Sequence, residues 1–215
     1  MKQGLTELVF ILDRSGSMSG LEGDTIGGFN ALIEKQKRES GECFVTTALF
    51  DDKYELLHDR VALDAVRPIT EKEYFVRGST ALLDAIGRTL DKTINAQANT
   101  AQSGRAEKVV FVIITDGQEN ASREYRLDRV KQMIQRQTQE YGWEFLFLGA
   151  NIDAISVAAG FGIAPDRAVT YRADAAGTRL NYSVVSDTVA AVRAGAPLAK
   201  NWKQRIEEDM DQREH

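Results

Sequence analysis

Two runs of apolar residues without alternation lie along the chain, at residues 8–12 and 109–114. Such runs are typical of strands that are buried on both faces of a parallel sheet. A polar turn at residues 51–53 separates two β-branched and aromatic segments, which predicts a hairpin whose second strand is an antiparallel edge. Together the apolar segments predict six strands, at residues 8–12, 43–50, 54–61, 109–114, 144–148 and 168–171.

The segments between these strands repeat their apolar residues at helical spacing. The first helix follows a stretch of small residues, contains Ile26, Phe29 and Ile33, and is predicted to end near Gly41. Further helices are predicted at about residues 82–94, 124–141, 152–159 and 180–194. Strands that alternate with helices in this way predict an α/β fold: a doubly wound, mostly parallel, Rossmann-like six-stranded sheet with helices on both faces.

The C-terminal segment differs from the rest of the chain in its density of charge. Four apolar residues recur there at four-residue steps and predict a helix with one narrow apolar seam, namely Leu198, Trp202, Ile206 and Met210. We therefore predict one domain over residues 1–196 and a charged helical tail over residues 197–215. Two interpretations of the seam stay open: it packs onto the domain, or it binds a helix of a partner.

The composition narrows the classes of function. The 215 residues include 27 Lys and Arg against 32 Asp and Glu, a net charge of −5, and the sequence pI is near 5.2. This balance, without any basic block, disfavours nucleic-acid binding and suits a cation. The sole cysteine, Cys43, forms no intramolecular disulfide, and two histidines leave few ligands for structural zinc. The apolar runs are too short for a membrane helix and show no cleavage site, so we predict a cytoplasmic protein that binds no membrane.

Polar residues follow or open three of the predicted elements. Asp13-Arg14-Ser15-Gly16-Ser17 follows the first strand, Gly78-Ser79-Thr80 opens the second long helix, and Thr115-Asp116-Gly117 follows residues 109–114. Ligands of doubly wound sheets bind at the carboxyl ends of the strands. Two carboxylates and three hydroxyls are oxygen donors that suit a hard cation, Mg²⁺ first and Mn²⁺ as well. Each residue alone has an ordinary explanation as a turn former or helix cap, but their joint occurrence predicts a metal site.

The spacing Asp13-x-Ser15-x-Ser17, followed by Thr80 and Asp116, resembles the metal-ion-dependent adhesion site of von Willebrand factor A domains, and the chain is similar to bacterial members of that family. The resemblance covers most of the chain. It implies that Ser15 and Ser17 bind the metal directly, whereas Thr80, Asp13 and Asp116 bind it directly or through water. It also implies the sheet order 3-2-1-4-5-6 with an antiparallel third strand, and an open coordination position that an Asp or Glu of a protein partner completes.

From this resemblance we predict a divalent-cation-dependent protein-binding module without enzymatic activity. Further polar residues are predicted to form a rim on the same face as the metal site: Arg14, Asp51, Asp52, Glu119, Asn120, Asn151 and Asp153. Two interpretations of this rim stay open, a solvated loop surface or a surface that selects partners through its charge.

Two other classes of function compete with this prediction. A Mg²⁺-dependent phosphohydrolase would use Asp13 as the nucleophile and Asp116 as a second metal ligand, but Ser15 stands where such enzymes usually carry another Asp. Neither His58, on the predicted edge hairpin, nor His215, at the last position, supports a Ser-His catalytic arrangement. The third class is a scaffold protein with a vestigial metal site, against which the complete set of five ligand types argues.

Overall fold

The centre of the molecule is a six-stranded sheet in the order β3-β2-β1-β4-β5-β6. Its strands are β1 Lys2–Asp13, β2 Cys43–Phe50, β3 Tyr54–Ala62, β4 Ala106–Thr115, β5 Glu144–Ala150 and β6 Ala168–Tyr171. The computed structural model describes residues 1–214. Neighbouring strands run parallel except β2 and β3, which are antiparallel. The predicted fold class is therefore confirmed, together with the strand order that the resemblance implied.

Helices cover both faces of the sheet: α1 Glu22–Gln36, α2 Leu82–Asn99, α3 Leu127–Tyr141, α4 Ala154–Gly160, α5 Ala175–Arg193 and α6 Gln204–Glu214. One face packs Leu8 and Phe10 of β1 against α1, α5 and α6, and the other packs Val9 and Ile11 against α2, α3 and α4. Because successive strand residues point to opposite faces and both faces are covered, the middle of β1, residues 8–12, is apolar without alternation. None of the described helices has the length and apolar content needed to cross a membrane.

The register of the central strands brings their carboxyl ends to one level. Asp13 of β1 pairs with Phe50 of β2, and Leu12 of β1 pairs with Ile114 of β4. The loops that follow β1, β2 and β4 therefore meet at the same edge of the sheet. Two of these loops carry the carboxylates of the predicted metal site, so the topology places the candidate chemistry at this edge.

Several predicted boundaries differ from the structure, among them those of β1, α1 and α5. β1 begins at Lys2 rather than at residue 8, because its first residues are polar, exposed and offset by an irregularity near Gly4, whose φ is +74°. α1 ends at Gln36, before the predicted end near residue 41. α5 begins at Ala175 rather than at residue 180, because the side chain of Asp174 accepts a hydrogen bond from Gly177 and caps a first turn without large apolar residues.

The C-terminal tail packs against the rest of the chain. Leu198, Trp202 and Ile206 are buried in the apolar cluster that also contains residues of α5 and β6, and the Trp202 indole N–H donates to the Asp166 carbonyl oxygen at 2.8 Å. The prediction of one helix through the whole seam is wrong at its start, since α6 begins only at Gln204. The packing favours docking onto the domain over a partner-helix site. The division at residue 196 stays a prediction, and residue 215 lies outside the described residues.

Candidate metal centre

Asp13 is the last residue of β1, and its side chain is held in one direction. Its Oδ1 accepts a hydrogen bond from the Ser15 backbone N–H at 2.7 Å, and its Oδ2 accepts one from the Thr115 hydroxyl at 2.5 Å. The Tyr74 hydroxyl donates to the Asp13 carbonyl oxygen. Two contacts thus orient the carboxylate and a third holds the backbone of the same residue, which is only 1% exposed.

Three hydroxyl groups form a contiguous row next to this carboxylate. Thr80 Oγ1 donates to Ser15 Oγ at 2.9 Å, and Ser15 Oγ lies 3.1 Å from Ser17 Oγ. The two loops that carry them are joined, because the Gly16 N–H donates to the Gly78 carbonyl oxygen at 3.1 Å. Adjacent ligands of an octahedral ion with bonds of about 2.1 Å stand about 3 Å apart. The row therefore matches the spacing of ligands around Mg²⁺.

Asp116 follows β4 and carries a buried carboxylate without a partner. Its side chain is 2% exposed, and neither of its oxygens has a hydrogen-bond partner among residues 1–214. Burial raises the pKa of Asp116 above its usual range, although the nearby Ser17 hydroxyl offsets part of the rise. A buried charge without a partner is costly, and a cation beside the row of hydroxyls would remove that cost.

Gly117 keeps this part of the site open. A Cβ atom at position 117 would lie 2.9 Å from Thr80 Oγ1 and 3.1 Å from Ser17 Oγ. Both contacts are shorter than ordinary van der Waals distances, so a side chain here would push against two of the candidate ligands. Glycine at this position therefore lets the loop after β4 approach the hydroxyl row closely.

The structure brings the five predicted ligands to one place. They are two carboxylates and three hydroxyls, and within the described part of the chain no group of three or more His, Cys, Asp or Glu side chains is arranged to hold a metal. Structural zinc sites are built from four Cys and His ligands, whereas Mg²⁺ prefers oxygen ligands with one or two carboxylates. The donor set at this edge thus fits a hard cation.

We expect cation binding to weaken as the pH falls below about 6. Burial raises the pKa of Asp13 to about 6, although hydrogen bonds from Ser15 and Thr115 act in the opposite direction. Because a proton and a cation compete for this carboxylate, the affinity for Mg²⁺ should fall about tenfold between pH 7.5 and pH 5. Calorimetric titrations at the two pH values measure this change, and equal affinities would show that Asp13 is not a ligand.

The stability of the metal-free protein should rise as the pH falls, whereas the cation affinity falls. The folded state takes up a proton at Asp13 near pH 6, whereas the unfolded chain does so only near its ordinary pKa of 3.8. The metal-free fold therefore gains stability as the pH falls through the window between these values. Thermal denaturation in the presence of a chelator at pH 7.5 and pH 5 follows this trend, and Asp13→Asn should reduce it; Asp116, whose pKa burial also raises, contributes the remainder.

Five of the predicted rim residues lie at the surface of this edge: Asp52, Asn120, Asn151 and Asp153 are exposed, and Glu119 is half-buried. Three of them also support local structure. Asn120 Oδ1 accepts from the Thr80 N–H at 2.9 Å, Glu119 accepts from the Leu83 N–H at 2.8 Å, and Asp153 caps α4. The rim therefore holds Thr80 and the first turn of α2 in place.

Arg14 and Asp51 do not belong to the surface rim, which corrects that prediction. Both side chains are fully buried, and Arg14 Nε lies 2.9 Å from Asp51 Oδ2. Burial opposes the ionisation of Asp51, but a hydrogen bond from Arg77 and the charge of Arg14 hold its pKa below the usual range. In an extended loop, the alternation that directs Asp13 and Ser15 to one side directs Arg14 to the other. This alternation could have been read from the sequence as a sign that the Arg14 side chain points away from the metal site.

A cleft of about 680 Å³ opens next to Thr80, and of its lining only Asp52 and Asn120 belong to the predicted rim. It lies between the β2–β3 turn, the start of α2 and the loop after residue 119. Arg88 in this cleft pairs with Glu124, whereas Lys53 and Arg123 form no side-chain ion pair with any described residue. No motif marks these cations, because single lysines and arginines are common in turns and loops.

A scan against protein-family models gave no match, and a search of the curated proteins gave none. Solved structures with a similar fold include proximal thread matrix protein 1 from the mussel byssus with a zinc-occupied MIDAS motif, at a TM-score of 0.57 and 16% identity over 86% of this chain and 46% of that chain. A von Willebrand factor type A from Catenulispora acidiphila has a TM-score of 0.60 and 13% identity over 86% of this chain and 42% of that one.

A third similar structure is the manganese-loaded TRAP protein of Plasmodium vivax, with a TM-score of 0.50 and 17% identity over 69% of this chain and 58% of that one. This chain thus spans less than two thirds of each of the three proteins. At these identities the likeness shows the fold alone. The fold is that of a von Willebrand factor A domain.

Proposed function

We propose that this chain is a divalent-cation-dependent protein-binding module. Its metal would be held by five residues and completed by an Asp or Glu side chain of the partner: Asp13, Ser15, Ser17, Thr80 and Asp116. The observation that carries the proposal is the buried Asp116 carboxylate, which has no hydrogen-bond partner among the described residues and lies near the row of hydroxyls. The zinc-occupied MIDAS motif in one structure with this fold supports a metal at such a site, and another protein with this fold is manganese-loaded.

The chemistry of the donors favours an external carboxylate. When bound, the cation supplies the positive charge to which a carboxylate of the partner binds. The chain itself contributes only two anionic ligands, Asp13 and Asp116, and the three hydroxyls are neutral donors. We propose Mg²⁺ as the metal, and Mn²⁺ shares its preference for oxygen ligands.

The cleft beside Thr80 supports the proposal that the partner segment carries more than one acidic residue. A partner that places one carboxylate on the metal would run past Lys53 and Arg123, the two cations of the cleft without an ion pair in the described range. The exposed rim residues, Asp52 and Asn120 among them, would then favour or disfavour individual partners through their charge. We further propose a bacterial, cytoplasmic setting. We also propose that the module binds neither nucleic acid nor membrane, and the net charge of −5 supports this because both of those surfaces are anionic.

We propose that the module is not an enzyme. The phosphohydrolase alternative requires Asp13 as the nucleophile, yet this side chain is 1% exposed and both carboxylate oxygens accept hydrogen bonds, from the Ser15 N–H and the Thr115 hydroxyl. These contacts support Asp13 as an oriented metal ligand rather than as an attacking group.

The test is a calorimetric titration of chelator-treated protein with Mg²⁺ and then Mn²⁺. We expect about one equivalent to bind to the wild type and none to bind to Asp13→Ala. The matched control is Asp64→Ala. Asp64 is an exposed acid just after β3, at the end of the sheet that lies opposite the carboxyl ends of β1 and β4. A wild type that binds neither ion would overturn the proposal.

The second half of the test concerns the partner's carboxylate. A short peptide with one Asp should bind to the metal-loaded protein, whereas the same peptide with Asn should not, and chelator should abolish the binding. Turnover of a phosphate ester that requires Mg²⁺ and disappears in Asp13→Asn would instead establish the phosphohydrolase.

A further inference from the structure

We propose that Asp51 is a positioning residue for the metal centre: together with Arg14 and Arg77 it sets the separation of Ser15 and Thr80 without touching the metal. This inference rests on the proposed function, because it concerns two of the proposed ligands. Its evidence is a buried network that ties the loop after β1 to the segment before α2.

The first set of contacts holds the loop after β1 in place. The Arg14 side chain is fully buried and lies 2.9 Å from Asp51 Oδ2 and 2.8 Å from Glu55 Oε2, and it donates to the Glu73 carbonyl oxygen at 3.2 Å. Arg14 stands between Asp13 and Ser15 in the chain. Anchoring its side chain therefore restricts the backbone that carries two candidate ligands.

The second set of contacts holds the segment that carries Thr80 in place. Asp51 Oδ2 also accepts from Arg77 Nε at 2.7 Å, and the Asp51 carbonyl oxygen accepts from the Ala81 N–H at 2.9 Å. The Arg77 N–H donates to the Arg14 carbonyl oxygen at 2.9 Å, which joins the two loops directly. Asp51 thus holds the chain three residues before Thr80 and one residue after it.

The network matters because the ligands that it positions are neutral. A hydroxyl attracts a cation less strongly than a carboxylate does, so it contributes only when it stands at the correct distance. Mg²⁺ requires near-octahedral coordination at about 2.0–2.1 Å, whereas Ca²⁺ accepts irregular coordination at about 2.3–2.6 Å. A loosened Ser15–Thr80 pair should therefore impair Mg²⁺ binding more than Ca²⁺ binding.

The experiment measures the affinities of Asp51→Asn for Mg²⁺ and Ca²⁺ by calorimetry. We expect about a 10- to 100-fold loss for Mg²⁺, the range found when residues behind metal ligands are changed, and a loss below about threefold for Ca²⁺. The control is Asp64→Asn, which should change neither affinity. Unchanged Mg²⁺ binding in folded Asp51→Asn, or equal losses for the two ions, would overturn the inference.

Two further variants separate positioning from stability. Arg77→Gln removes the ion pair with Asp51 at a partly exposed residue, so the variant should fold. Its affinity for Mg²⁺ should fall about threefold to tenfold. Arg14→Met/Asp51→Leu replaces the buried pair by apolar side chains and should melt closer to the wild type than Asp51→Asn, yet keep the Mg²⁺ defect. If the double variant regains wild-type Mg²⁺ affinity, the network serves stability alone.

The outcomes also distinguish this inference from the proposed function. A wild type that binds no Mg²⁺ contradicts the proposed function itself. A wild type that binds Mg²⁺ and an Asp51→Asn variant that binds it equally well contradict only the positioning role.

Discussion

We expect Asp116→Asn to bind Mg²⁺ about 100-fold more weakly than the wild type, while its metal-free form melts at a higher temperature than the metal-free wild type. Asp116 is buried, and its two oxygens have no hydrogen-bond partner among residues 1–214. At neutral pH the fold therefore carries a cost for this charge, which the neutral amide reduces by about 1 kcal/mol, or about 2–4 °C in melting temperature. Calorimetry gives the affinity, and thermal denaturation in chelator gives the stability.

The opposite changes in affinity and stability are the signature of a ligand. Asp64→Asn, at the other edge of the sheet, is the control and should alter neither quantity. An Asp116→Asn variant that is less stable in chelator and still binds Mg²⁺ would show that this carboxylate supports the fold instead of the metal.

The second large effect is expected from Arg14→Met, which should destabilise the metal-free protein by about 3 kcal/mol. The side chains of Arg14 and Asp51 are both fully buried, so removal of the guanidinium leaves a buried carboxylate with Arg77 as its remaining charged partner. For a chain of this length the melting temperature should fall by about 6–12 °C. Thermal denaturation followed by circular dichroism measures the shift.

The control for this prediction is an arginine in an exposed ion pair. Arg136 pairs with Glu140 on the surface of α3, where both side chains are more than half exposed. Arg136→Met should shift the melting temperature by less than about 1 °C, because solvent screens the pair. Equal shifts in the two variants would contradict the view that burial makes the Arg14 pair important.

Some elements could be predicted to the residue because their signals are local. Residues 43–50 and 168–171 coincide with β2 and β6, and the apolar runs of β1 and β4 mark strands covered on both faces. Boundaries were missed where the signal is weak. The polar start of β1 and the small-residue first turn of α5 bury too little apolar surface to appear in the pattern.

The tail shows how tertiary contacts replace a local pattern. Leu198, Trp202 and Ile206 keep the four-residue spacing of a helix, but only Ile206 lies within α6. The other two residues are buried in irregular structure, where the Trp202 indole N–H donates a hydrogen bond to the Asp166 carbonyl oxygen. The spacing left open whether these apolar residues pack onto the domain or bind a partner helix, and the conformation that presents them depends on the residues that they contact.

By itself the sequence predicted the strands, their alternation with helices and the oxygen-rich segments at the strand ends, because these follow from residue type, spacing and position. The resemblance to von Willebrand factor A domains then selected the five candidate ligands within those segments. Only the tertiary structure decided which charged residues near the site are exposed. Arg14 and Asp51 were predicted at the surface and lie fully buried. Their burial depends on a salt bridge between residues 37 positions apart, supported by Glu55 and Arg77. A charge is stable in the interior only where the fold brings such partners to it.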